Sequence, residues 1–215
     1  DFNPREFAFD ATYSRLLSEK FSMGLTGRYI YSNLTGAFSG IDAKPGNSIA
    51  VDIGAYYTTD FRTAKSSSLS LGAAITNIGA KLSYTDNQNK DFLPTNLRLG
   101  AAYTTELDPY NSITFVLDFN KLLVPTPPIR ATDGTIIYGK DDNRSLLSGM
   151  FGSFTDAPNG FEEEIQEIMT SIGVEYWYND IFSARLGYFN ESKNKGNRKY
   201  MTLGLGFRRK AFGID

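Results

Sequence analysis

Apolar and polar residues alternate with period two along most of the chain, the period of a β-strand. The first run, roughly Glu6 to Leu17, sets Phe7, Phe9, Ala11 and Tyr13 against Asp10, Thr12 and Ser14. The second sets Phe21, Met23, Leu25 and Tyr29 against Ser22, Gly24, Thr26 and Arg28. Ile49 to Ala55, Leu69 to Ile75, Leu97 to Tyr103 and Ile113 to Phe119 repeat the pattern. So do Ile172 to Tyr178, Phe182 to Tyr188 and Met201 to Phe207. Each run is about ten residues long, the length of a tilted strand crossing a bilayer. A soluble sandwich shows some alternation, but nine runs of this length are harder to obtain that way. Tyr29, Tyr31, Tyr57, Tyr103, Tyr176 and Tyr178 near the run ends fit interfacial girdles.

The connections alternate in length. Ser18–Lys20, Thr59–Ser67, Glu106–Asn111 and the turn at Asn179-Asp180 are the shorter ones. Leu34–Asn47, Gly79–Pro94, Lys121–Thr170 and Asn190–Lys199 are longer. Outer-membrane barrels place short turns on the periplasmic rim and long loops outside the cell. The expected fold is therefore all-β, a transmembrane antiparallel up-and-down β-barrel with extracellular long loops. One domain is expected over 1–215, with 121–170 inserted in it as a long loop. Nine strands are not the even number typical of bacterial barrels, and an open sheet edge is costly in lipid. The polar opening Asp1–Arg5 and the clipped alternation at Ala211–Asp215 agree in predicting a fragment of a longer protein, with no targeting peptide visible at the start.

Composition narrows the chemistry. The chain has 215 residues, 22 Lys plus Arg against 24 Asp plus Glu, no His and no Cys. The two zeros exclude disulfides, Cys nucleophiles, axial-His haem and any triad with a His base. The slight acidity argues against nucleic acid as a partner. Aromatics make up 14% and there are 20 Gly, which suits an all-β membrane protein.

The inward faces of the runs hold Asp10, Arg28, Asp52, Arg98, Asp118, Glu175 and Arg185, four acids and three bases. Ion pairs within a polar lumen account for them better than a ligand pathway does. Gly134 to Lys140 has the spacing of a phosphate loop, but Asp141 stands where Ser or Thr would hold magnesium. Asp86 to Asp91 is oxygen-rich but lacks the Gly and Glu of an EF-hand loop. No carboxylate pair marks a general acid and base.

The insertion 121–170 is the most informative segment. It opens on Leu122, Leu123 and Val124 and a stiff Pro125-Thr126-Pro127-Pro128. A turn is predicted at Asp133-Gly134, and apolar residues follow at Leu146, Leu147, Met150, Phe151 and Phe154. Phe161, Ile165, Ile168 and Met169 fall at helical spacing, with Glu162, Glu163, Glu164 and Glu167 near the start, where a helix dipole favours acids. Two accounts fit: a lid packed on its own barrel mouth, or a surface that docks another protein. In the second, Leu122, Leu123, Val124, Pro127, Met150, Phe151, Phe154, Phe161 and Ile165 are the candidate contacts.

Several motifs carry a family resemblance. They are Asn3-Pro4-Arg5-Glu6-Phe7-Ala8, Leu25-Thr26-Gly27-Arg28-Tyr29-Ile30-Tyr31-Ser32-Asn33-Leu34, Ala74-Ile75-Thr76-Asn77-Ile78-Gly79, and Gly196-Asn197-Arg198-Lys199 leading into Thr202-Leu203-Gly204. Together they resemble PorV, an outer-membrane family of the type IX secretion system of Bacteroidota. The resemblance implies a FadL-like barrel of fourteen strands, of which this chain is a part, integral to the bacterial outer membrane and in contact with its lipid. It implies no enzyme activity and no cofactor. It implies partners: a SprA/Sov-type translocon barrel, secreted cargo with a C-terminal signal domain, and a PorU-type sortase to which cargo passes. The alternative within the wider group is a FadL-like transporter of hydrophobic small molecules.

Overall fold

The structure is a computed structural model, and it describes residues 4–34, 44–62, 66–84, 90–210 and 212–214. Parts of the connections expected at 34–47 and 79–94, most of Asp86–Asp91, Asn3 of the opening motif, and Ala211 and Asp215 lie outside the described residues.

The alternating runs form one antiparallel sheet. Its strands are β1 (Arg5–Ser18), β2 (Phe21–Asn33), β3 (Gly46–Arg62), β4 (Ser66–Gly79), β5 (Asn96–Asp108) and β6 (Asn111–Leu122), then β9 (Met169–Tyr178), β10 (Phe182–Asn190), β11 (Lys199–Arg209) and the short β12 (Phe212–Ile214). Between β6 and β9 lie β7 (Ile129–Arg130), β8 (Ile136–Tyr138), α1 (Leu146–Gly152) and α2 (Phe161–Gln166). Each strand of the large sheet pairs with its predecessor in the order β1-β2-β3-β4-β5-β6-β9-β10-β11-β12, while β7 and β8 form a separate ribbon. All nine expected runs are strands, and β12 is a tenth. The sheet is not closed among the described residues: β1 and β12 are its two edges. No described helix is long and apolar enough to cross a membrane; the strands would have to do so.

The boundaries shift where alternation gives way to polar strand residues. Thr58, Thr59, Asp60, Phe61 and Arg62 still pair with Ser70 to Ser66, so β3 runs beyond its expected end. Leu122 pairs with Asn96 and belongs to β6, and Met169 opens β9. The insertion proper is therefore 123–168. Its predicted turn at Asp133-Gly134 links β7 to β8, with Gly134 at φ 86, a conformation glycine adopts without a Cβ clash. Asn179 and Asp180 both have left-handed φ, 53 and 54, and Ile181 N–H donates to the Tyr178 carbonyl at 3.0 Å. Because Tyr178 pairs with Phe182, residues 179–181 form a three-residue hairpin loop, with Asn and Asp at the two left-handed positions.

Register sorts the side chains onto two faces. Asp10 is opposite Arg28, Thr26 opposite Asp52, Arg98 opposite Asn120, Gly100 opposite Asp118, and Glu175 opposite both Thr114 and Arg185. All seven expected inward charges thus share one face. The other face carries large apolar side chains left exposed, among them Phe9, Ile49, Phe115, Ile172, Leu203 and Leu205. In water such a face would be an aggregation surface; against acyl chains it is the wall of a membrane protein. The buried hydrophobic core is correspondingly small. Ala50, Leu82 and Leu93 form one cluster, with Ile30 and Tyr84 packed on it, at the long-connection end of the charged face.

Candidate functional site

The charged residues form separate groups rather than one network. Arg28 lies 2.7 Å from Asp10 and 3.1 Å from Asp52. Its Nη1 donates to Asn77 Oδ1 at 2.5 Å, and the Asn77 backbone N–H donates to Asp52 Oδ1 at 2.7 Å. Asn77 sits at φ 59, inside a register shift between β3 and β4 where β4 carries an extra residue. A β-bulge of this kind bends a strand and re-aims a side chain. Here it turns Asn77 onto the Arg28 guanidinium. Arg98 Nε donates to Asn120 Oδ1 at 2.8 Å. At the short-turn end Arg185 pairs with Glu175, which also accepts from Trp177 Nε1 at 2.7 Å. Asp118 lies over Gly100, close enough that a Cβ there would clash with its carboxylate. Asn77 and Trp177 are participants that alternation does not single out.

The insertion is folded onto the rim of the sheet. Lys121 is 5% exposed, and its Nζ lies 3.0 Å from Glu164 and 2.6 Å from Glu167. Glu167 also accepts from Thr126 Oγ1 at 2.8 Å and from Lys195 at 2.8 Å. Lys195 reaches Glu163 at 2.5 Å, and Glu163 accepts from the Asn159 backbone at 2.9 Å. Glu164 accepts from the Ala157 backbone at 2.9 Å. The expected role of these acids was to face the helix dipole. Their larger role is to tie α2 to β6 and to the 191–198 connection. The helix itself ends at Gln166, short of the expected Met169.

Electrostatics follow from that geometry. Burial pushes the Glu167 carboxyl up, but hydrogen bonds from Lys121, Lys195 and Thr126 outweigh it and hold the pKa below the usual value. Glu163 is lowered chiefly by its hydrogen bond from Lys195. Burial pulls Lys195 down, and its pairs with Glu163 and Glu167 more than offset that, so its pKa is raised. Asp156 goes the other way: burial raises it. Its Oδ1 accepts a long 3.4 Å bond from Thr126 N–H, Arg144 is 3.8 Å away, and its buried Oδ2 has no hydrogen-bond partner.

The candidate contact residues divide into two sets. Leu123 and Met150 are 3% and 4% exposed and belong to the insertion's own interior, which removes them as direct contacts. Leu122, Pro127, Phe151, Phe154, Phe161 and Ile165 are exposed and Val124 is half-buried. Two cavities of about 600 Å³ and 340 Å³ open at the base of the insertion, and Leu122, Val124 and Pro125 line both. Lys81 and Lys90 border the first, Pro127, Lys195 and Arg198 the second. Gly149 of α1 abuts Phe92 and Pro125, so α1 stands beside this strip, while Phe151, two residues on, is exposed. The phosphate-loop-like stretch Gly134–Lys140 is the turn and second strand of the β7–β8 ribbon.

A sheet of bilayer-length antiparallel strands, apolar on one face and ion-paired on the other, with a folded cap on one rim, defines a β-barrel type of membrane protein. The sequence model of the family described as type IX secretion system protein PorV matches residues 2–129. The chain belongs to that family. The match covers β1 to β6 and the start of the insertion. No curated protein shows significant similarity to the chain. Family and sheet together make it an outer-membrane component of the type IX secretion system.

Proposed function

We propose that the long-connection rim faces the cell exterior and that the insertion 123–168 docks exported protein. The observation that carries this reading is the pairing of a fixed cap with exposed apolar groups. The enclosed cluster of Lys121, Glu164 and Glu167 holds the insertion in one position. Phe151 of α1 nonetheless stays 72% exposed. A lid that served only to close its own barrel would have reason to bury such a side chain. Pre-organised, exposed aromatic groups are what a docking surface presents.

In this reading the cargo carries the C-terminal signal domain of type IX substrates. It arrives from a SprA/Sov-type translocon barrel and leaves to a PorU-type sortase. The insertion supplies contact area and no chemistry. A FadL-like transport role would need an apolar path, and the charged face offers ion pairs at Arg28 and Arg185 instead.

The test is a Phe151→Asp/Phe154→Asp variant of the full-length protein in a type IX-secreting cell. Export should fall while the amount of protein in the outer membrane stays unchanged. Undiminished export at normal protein level would refute the docking role.

A further inference from the structure

A groove runs beneath α2 on the apolar face, away from the cavities at the base of the insertion. Leu99, Phe119, Thr170, Asn190 and Lys199 are successive register partners on β5, β6, β9, β10 and β11, so one cross-strand row forms its floor. Ile165 and Ile168 line it from α2 and the link to β9, and Lys193 lines it from the 191–198 connection. Its volume is about 920 Å³. Lys121 pairs with Leu97, two residues from Leu99, and so points to this same face. Its enclosure by Glu164 and Glu167 is what holds α2 over the groove.

Two features define what fits. Below Thr170, Asn190 and Lys199 the same face continues as Ile172, Tyr188 and Met201, all exposed and apolar. The groove therefore lies where an acyl-contacting wall gives way to polar side chains, the level of lipid head groups. Among the described residues its charged lining residues are Lys193 and Lys199, both exposed, and no carboxylate lines it. Apolar floor, cationic edge and continuity with the lipid wall are complementary to an amphiphile with an acidic head group.

We propose that this groove seats a membrane lipid whose phosphate head group carries a net negative charge, its acyl chains against Leu99, Phe119 and Ile165 and its phosphate between Lys193 and Lys199. The proposal rests on the membrane-spanning reading of the sheet but not on cargo docking. If the long-connection rim is extracellular, the lipid is the phosphorylated glycolipid of the outer leaflet.

The experiment places the full-length protein in phosphatidylcholine nanodiscs doped with diphosphoryl lipid A or with phosphatidylglycerol. Retained lipids are counted by native mass spectrometry. The net-anionic lipid should be retained over zwitterionic phosphatidylcholine, whose phosphate is balanced by its own choline, and millimolar inorganic phosphate should not displace it. Retention should fall roughly tenfold in Lys193→Gln/Lys199→Gln, the loss expected for removing a charge-assisted head-group contact. Ile165→Ser, which keeps both charges, should also weaken it. Preference for lipid A assigns the outer-leaflet lipid, and preference for phosphatidylglycerol assigns a glycerophospholipid; both support the site. Equal retention of phosphatidylcholine, displacement by inorganic phosphate alone, or unchanged retention in the double-lysine variant would overturn it. Cargo export does not enter this readout, so failure here and failure of the docking role are separable.

Discussion

Lys121 Nζ and Glu164 Oε2 lie 3.0 Å apart with both side chains buried, joining the end of β6 to α2 across the whole insertion. A buried charge is tolerated only when its partners are close and its remaining lone pairs are filled. Here Glu167, Thr126 and the Ala157 N–H complete the set. Lys121→Met therefore leaves Glu164 and Glu167 without their cation, and should weaken the insertion by about 3–5 kcal/mol. Hydrogen exchange should show residues 123–168 losing protection while the strands keep theirs.

Acid should loosen the same contact. The pKa values of Glu163 and Glu167 are lowered in the folded state. Their contribution is complete above the unfolded carboxylate value of about 4.3 and is lost as pH falls through the folded values. Lys195 is raised, so its contribution is complete below the unfolded lysine value of about 10.4 and is lost as pH rises through the folded one. Proteolytic protection of the insertion should thus hold across neutral pH and fail toward both extremes. Lys195→Gln should remove the alkaline limb.

Asp156 should act with the opposite sign. Its raised pKa means that the folded insertion holds a proton that the unfolded one releases, so stability falls as pH rises through the folded value. Asp156→Asn supplies a neutral group at the orphaned Oδ2 position and should raise protection of the insertion at neutral pH. Lower protection in that variant would show that the Arg144 contact dominates.

The bulge at Asn77 should be sensitive to β-branched residues. Asn77→Val would hold a branched side chain at φ 59 and remove the bond to Arg28. Strain of this kind costs on the order of 1–3 kcal/mol. Urea unfolding in detergent should show the loss, and Asn77→Gly should recover part of it.

The strands were readable because their signal is local: Phe7, Phe9, Ala11 and Tyr13 declare a face within one run. The turn at Asn179-Asp180 was readable for the same reason, since both residues tolerate left-handed backbone. What stayed hidden depends on distant partners. Glu164 and Glu167 look like dipole-facing acids until Lys121 is placed beside them. Leu123 and Met150 look like contact residues until the insertion folds over them. Asn77 reads as a strand-end residue, because a bulge depends on the register of β3 against β4.

The docking role of the insertion is tested most directly by a photo-crosslinking residue at Phe151 of the full-length protein, in cells secreting by the type IX route. The reading predicts adducts with exported proteins sharing a C-terminal domain, and their loss when Lys121→Met releases the insertion. Adducts with none of these proteins, in cells that export normally, would contradict it.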